Sequence, residues 1–200
     1  ILKAFNKIEE VNLSNYDLAL ICSPANFHIE SMKICALNKL PFMVEKPLST
    51  SMKDVDEVIE LVKKNNLFAR VGYTRRNNYE LRALKNQINK KKIGDLKLVI
   101  INDSQEFPKY RPDYQKTYYA HPEMGGGAIL DASTHFIDQL IWIVGKPIQV
   151  SCMYDRLVLQ GTNTEDTCLI NLFFDNGIIA NIIVNQFQKP HTKSYEFIGT

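Results

Sequence analysis

No apolar stretch of this 200-residue chain reaches the roughly 18 uninterrupted residues that a transmembrane helix needs, so the sequence predicts no membrane span. An excess of charge of one sign is almost absent. The 24 Lys and Arg against 22 Asp and Glu leave a net +2, too little for the field that attracts nucleic acid. The basic run Lys90-Lys91-Lys92 closes a helical pattern and reads as a solvated terminus. Cys22, Cys35, Cys152 and Cys168 have no metal-ligand spacing, and three of the four stand in apolar runs. They read as reduced core thiols of a cytoplasmic protein, and no metal site is expected. Internal repeats and low-complexity tracts are also missing. What remains, 45% hydrophobic and 23% charged residues, is the balance of a globular protein with one large or two small domains. The chain begins with Ile rather than Met, so the lack of a signal peptide excludes nothing.

Residues 1–5 suit the end of a strand, and Phe5, Ile8 and Val11 stand at helical spacing. From Asp17 the pattern sharpens. Leu18-Ala-Leu-Ile-Cys22, closed by Ser23-Pro24, predicts a strand buried on both faces of a parallel sheet. Residues 26–37 predict a helix, and Pro41-Phe-Met-Val-Glu-Lys-Pro47 a second strand. Ser51 and Asp54 resemble a capping box before the apolar stripe Val55, Val58, Ile59 and Val62, and residues 68–73 predict a third strand. Alternating strands and helices specify right-handed parallel crossovers, with ligands at the carboxyl ends of the strands. Those ends are Ser23-Pro24-Ala25-Asn26, Glu45-Lys46-Pro47 and Tyr73-Thr74-Arg75-Arg76. After Arg76 a helix over residues 78–91 stops near Gly94. A strand over 96–103 and a loop rich in Tyr and Pro over 107–123 follow. Apolar runs on either side of Asp175-Asn176-Gly177 signal a hairpin, so this half predicts an antiparallel sheet with helices against one face.

Gly125-Gly126-Gly127 opens a long apolar run whose polar groups fall on one side. At helical spacing Asp131 stands over His135, with Asp138 and Trp142 continuing the row. A buried carboxylate beside an imidazole is costly unless partnered, so the pair either satisfies itself or faces a pocket. An aspartate held by the helix dipole and a core histidine bonded to a carbonyl explain the same residues. Lys46 ends a buried strand beside Glu45 and before Pro47. A desolvated lysine transfers protons readily, and a strand-end ion pair with Glu45 is the alternative. A cleft between two domains would gather Lys46, Asp131 and His135.

Glu45-Lys46-Pro47, Gly125-Gly126-Gly127 with Asp131-x-x-x-His135, Ser23-Pro24, Gly72-Tyr-Thr-Arg-Arg76 and Lys92-Ile-Gly-Asp95 together resemble the Gfo/Idh/MocA (glucose-fructose oxidoreductase and inositol dehydrogenase) family. The resemblance implies an α/β fold. Residues 1–76 would be the carboxyl-terminal portion of a Rossmann dinucleotide-binding domain. Residues 77–200 would be an α+β domain with a largely antiparallel sheet that binds substrate and forms a homo-oligomer. It implies NAD or NADP, approached by Ser23, Pro24, Asn26, His28, Glu45, Lys46 and Pro47. Lys46, Asp131 and His135 would be the catalytic set for hydride transfer between nicotinamide and a carbinol carbon of a sugar, polyol or sugar derivative. His135 would be general base, Lys46 would stabilise charge on the oxygen, and Asp131 would orient substrate or histidine. Arg111 and Tyr114, in the loop where the family varies its specificity, would meet the substrate together with Asp131 and His135. The family's Gly-rich turn and the residue that selects NAD or NADP have no counterpart here. The chain therefore reads as a fragment of a longer protein, one that holds a dinucleotide poorly by itself. The alternatives within the same family are an NAD-dependent glycosidase and a noncatalytic cofactor- or sugar-binding regulator. Intact Lys46, Asp131 and His135 argue against the noncatalytic reading.

Overall fold

A computed structural model describes residues 3–200 and divides into two compact units, Ile1–Gly72 and Tyr73–Thr200. In the first, β1 (Ala19–Ile21), β2 (Phe42–Val44) and β3 (Ala69–Val71) form a parallel sheet in that order. Helices α1 (His28–Leu37) and α2 (Val55–Lys64) supply the crossovers. Ile21, Phe42 and Val44 bury against Met32, Cys35 and Ala36 of α1 and Val58 of α2.

Several local expectations change here. The row Leu20, Met43 and Arg70 points away from the helices, and Leu20 is 67% exposed. The strands are therefore covered on one face rather than two among the described residues. Of the expected strand end, Ile1 and Leu2 lie outside the described residues, and residues 3–5 are not strand. The helical spacing that follows yields short 3-10 turns, Ile8–Glu10 and Leu13–Asn15, the second opened by the Asn12 side chain accepting from the Ser14 N–H. The capping box does not form. Asp54 precedes α2 at φ +59°, outside the extended conformation a capping side chain requires, and the Ser51 hydroxyl accepts from the Lys53 N–H instead.

In the second unit, α3 (Tyr79–Asn89) is capped by Asn78, whose side chain accepts from the Leu81 N–H at 3.0 Å, and a short helix, α4 (Phe107–Tyr110), follows the first strand of the unit. Strands β4 (Leu98–Glu106), β5 (Pro147–Asp155), β6 (Thr167–Phe174), β7 (Ile179–Asn185) and β8 (Phe187–Ile198) form one sheet in the order β5-β6-β7-β4-β8. Only β4 and β7 run parallel. The β6–β7 hairpin turns at Gly177, φ +79°, a left-handed backbone that glycine adopts without a Cβ clash. One face of the sheet packs Val99, Ile101, Ile170, Leu172, Ile182 and Val184 against Ala128, Phe136 and Leu140 of the central helical segment. The cysteines split. Cys35 and Cys168 are buried core thiols as expected, whereas Cys22 and Cys152 are exposed, Cys152 because it lies on edge strand β5. No helix among the described residues is long and apolar enough to cross a membrane.

Candidate active site

At the carboxyl ends of β1 and β2 the loops are tied by one residue. His28 opens α1 and is 1% exposed. Its Nδ1 lies 2.9 Å from the Pro47 carbonyl and its Nε2 2.8 Å from the Ser23 carbonyl. A neutral ring donates to one of these and a protonated ring to both. His28 thus holds the Ser23 and Pro47 loops together, and its polar atoms are committed to backbone rather than to a ligand. Pro24, Asn26 and Glu45 are exposed, Lys46 is half-buried and Pro47 is buried. The Glu45 carboxylate accepts from the Lys46 N–H at 3.2 Å. A Cβ at Gly72 would stand 3.3 Å from that carboxylate and 3.4 Å from the Val44 carbonyl. The Ser23 Oγ is buried with no protein partner among the described residues, a donor and acceptor left over at the ligand edge of the sheet.

The second unit builds its polar site on the central helix. Ala128–Ser133 is a π-helix that passes into α5 (Thr134–Ile143). The spacing had suggested one uninterrupted α-helix; instead Asp131 lies in a wider turn, a feature frequent at functional sites. The reason is local. Gly127 (φ +93°) presses so close to Glu165 that a Cβ would meet its carboxylate at 2.5 Å. The Glu165 carbonyl and carboxylate accept from the Ala128 N–H (2.9 Å) and the Ile129 N–H (2.8 Å). Ser133 Oγ then donates five residues back to the Ala128 carbonyl at 3.0 Å. Burial raises the Glu165 carboxyl above the usual range, and the Ile129 N–H partly offsets this.

Asp131 and His135 are both half-buried, so both remain reachable. The Tyr118 hydroxyl donates to Asp131 at 2.8 Å, and the Tyr73 ring meets the His135 ring edge-on with centroids 6.0 Å apart. Burial raises the Tyr73 phenol above its usual range. The rest of the expected polar row does other work. Asp138 takes Arg76 bidentately at 2.5 and 2.8 Å, which raises the guanidinium further. Trp142 receives Lys85 on its carbonyl and over its ring at 4.4 Å.

The Tyr- and Pro-rich loop over residues 107–123 gives Tyr114 an internal place rather than the substrate contact expected of it. It is folded into short turns around a small core of Phe107, Tyr114, Tyr119 and Leu159. Tyr114 is 8% exposed and its hydroxyl donates to the Gln160 carbonyl, so ring and hydroxyl are both used within the protein. Arg111 is exposed and bonds the neighbouring Tyr110 carbonyl. Sequence reasoning placed Tyr73 at a strand end and Tyr118 in the Tyr-rich loop without their partners His135 and Asp131, and it missed Glu165, because no local pattern links residues that far apart in the chain. The adjacent acids Glu165-Asp166 were the one available signal.

A family model described as "Oxidoreductase family, NAD-binding Rossmann fold" matches residues 2–73, and one described as "GFO/IDH/MocA C-terminal domain" matches residues 81–200. The chain is 29% identical over 173 residues to the myo-inositol 2-dehydrogenase of Thermotoga maritima, covering 84% of this chain and 49% of that one. It is 27% identical over 166 residues to the rhizopine catabolism protein MocA of Rhizobium meliloti, covering 82% and 50%. The chain thus spans about half the length of these curated relatives. Among solved structures, the WlbA dehydrogenase of Bordetella pertussis in complex with NADH and UDP-GlcNAcA superposes with TM-score 0.87 at 22% identity, over 98% of this chain and 57% of that one. A probable dehydrogenase from Thermotoga maritima does so with TM-score 0.79 at 28% identity, over 93% and 56%.

Proposed function

This chain belongs to the Gfo/Idh/MocA oxidoreductase family, and on that premise we propose that the protein transfers a hydride between NAD or NADP and a carbinol carbon of a sugar, polyol or sugar derivative. The observation that carries this reading is the Asp131 and His135 pair. Both side chains are half-buried on a helix whose start is anchored by Glu165, with Tyr118 on the carboxylate and Tyr73 against the imidazole. Such support orients a reactive group more tightly than packing alone requires. The sugar-like substrate class draws on the names of the relatives, a myo-inositol 2-dehydrogenase and a dehydrogenase bound to UDP-GlcNAcA.

The nicotinamide side of the cofactor fits the residues present. The unpartnered Ser23 hydroxyl and the side-chain-free Gly72 leave a hydrogen-bonding group and space at the strand ends. Ser23, Pro24, Asn26, Glu45, Lys46 and Pro47 would hold it, and His28 would position their loops. When bound, the cofactor supplies the hydride acceptor or donor. In the oxidising direction His135 takes the hydroxyl proton at a ring nitrogen. Lys46, in the loop after β2, is the proposed donor that would stabilise the developing negative charge. Asp131 accepts from a neighbouring substrate hydroxyl and keeps the sugar in register.

The test is nicotinamide reduction by the full-length protein against a panel of sugars and polyols with both cofactors. His135→Ala and Lys46→Ala should each lower kcat/KM by on the order of 10²–10⁴ with an unchanged circular dichroism spectrum. Wild-type rates in both variants would end the assignment. We also assign a second copy of this chain to the sheet face opposite α5. There Met153 (76%), Leu169 (41%) and Ile179 (42%) are exposed on one face, and exposed apolar side chains grouped on one face mark interaction surfaces.

A further inference from the structure

We propose that Arg75, His191 and Lys193, gathered around Asp103, form a subsite for an anionic substituent on the substrate, a carboxylate or a phosphoryl group. The proposal rests on the oxidoreductase reading above and names the substrate class of that same site.

Strand register places the cluster. In the antiparallel β4–β8 pair, Val99 faces Phe197, Ile101 faces Tyr195 and Asp103 faces Lys193. Alternate strand residues share a face, so Asp103 and Lys193 follow Ile101 and Tyr195 on the side that α5 covers. His191, two residues before Lys193, shares that side. Tyr195 packs against Phe136 with ring centroids 6.2 Å apart, and Phe136 is the residue after His135. From the turn Thr74–Asn77, Arg75 lies over the Phe136 ring at 4.2 Å, donates to the Tyr195 hydroxyl and reaches Asp103 at 3.5 Å. The cluster therefore stands beside the catalytic helix.

Its charges do not balance. One carboxylate, 12% exposed, faces Arg75 at 3.5 Å, His191 at 3.5 Å and Lys193 at 3.7 Å. Arg75 and Lys193 alone leave a surplus of one positive charge, and a protonated His191 adds another. The neighbouring Lys189–Glu106 pair at 2.6 Å is matched one to one and offsets nothing. All three contacts are longer than the roughly 2.7–2.9 Å of a committed charge-assisted bond, so the cations keep donors to spare. Arg76 on Asp138 shows the contrast, a tight bidentate pair that is already satisfied. Exposure is graded as well. The carboxylate lies at the base, while His191 and Lys193, 38% and 53% exposed, lie at the mouth. A carboxylate that holds cations apart at a partly desolvated base is a preorganised receptor for a second anion.

The test compares D-glucuronate and D-glucose 6-phosphate with D-glucose on the full-length protein, measuring Kd with and without NADH and then KM for whichever compounds are turned over. At least one anion should bind tenfold or more tightly than D-glucose, and the better anion identifies the carboxylate or the phosphoryl source. Lys193→Met and His191→Gln should pull that preference toward one, and Lys193→Glu should invert it. Equal affinities for the three compounds, or a preference unchanged in all three variants, would overturn the subsite. A protein that binds anions selectively yet reduces no nicotinamide with any sugar or polyol would instead refute the oxidoreductase reading. Turnover of neutral sugars with no gain from the anion refutes the subsite alone.

Discussion

The imidazole of His28 touches two backbone carbonyls from different loops, Ser23 O and Pro47 O, and is almost wholly buried between them. Both loops carry residues assigned to the cofactor, so the ring acts on the ligand edge by holding its frame. His28→Leu keeps the volume but removes the ring N–H that bonds one of these carbonyls and the polar contact to the other. An orphaned buried acceptor costs about 1–3 kcal/mol, so the variant should lose about that much in urea denaturation and bind NADH more weakly. Unchanged stability would show that the ring only fills space. The neighbouring residue types gave no hint of this division of labour: a histidine one turn after Ser23-Pro24 looks equally suited to touching a ligand or bracing the loop that does.

At the scale of elements, the start of the central helix and the turn after β5 are joined through two adjacent acids with opposite environments. Burial raises the Glu165 carboxyl. Asp166 is buried too, and burial alone would raise it, but the N–H groups of Leu157, Val158 and Leu159 and the Thr167 hydroxyl outweigh burial and hold it below the usual range. The sign follows from linkage. A carboxyl whose folded pKa is depressed contributes stability that is present above its unfolded value, about 4, and lost as pH falls through the folded value. Asp166→Asn should therefore cost about 2 kcal/mol at pH 7 and flatten the acid limb of the stability profile below about pH 4. A variant with the wild-type acid limb would show that Asp166 does not organise this turn. Glu165 has the opposite sign: its raised pKa lowers stability as pH rises through and above the usual carboxylate range.

For the whole molecule, the open face of the five-stranded sheet matters most. The residues that pair across β5, β6 and β7 on that face include Met153 opposite Leu169 and Phe173 opposite Ile179. Asn171 and Asn181 hydrogen-bond to each other at 2.7 Å between them, which leaves the surrounding apolar side chains as the available contact surface. On the proposed reading, burial of such surface, worth about 25 cal/mol per Å², would drive association of two copies through this face. Wild-type protein should elute as an oligomer in light-scattering chromatography, and Met153→Glu with Leu169→Glu should dissociate it. A monomeric wild type would refute the assignment.

How much could be read without coordinates differed from one feature to the next. The parallel strands, the hairpin at Gly177 and the helical character of residues 134–143 were legible because each depends on neighbours in the chain, through strand period, turn chemistry and helical spacing, whereas the π-helical turn that holds Asp131 depends on Glu165 and was not. The covered face of β1, the capping of α2 and the packing of Tyr114 were not, because burial and hydrogen-bond partners are decided by residues far away in sequence. The same holds for the imbalance around Asp103. Its cations come from residue 75 and residues 191 and 193, and only strand register and the packing of Arg75 on Phe136 bring them to one carboxylate. Chain order thus determined which elements form and which polar groups the central helix carries. Tertiary structure decided which of those groups are satisfied, because charge and hydrogen bonding depend on distance through space rather than along the chain.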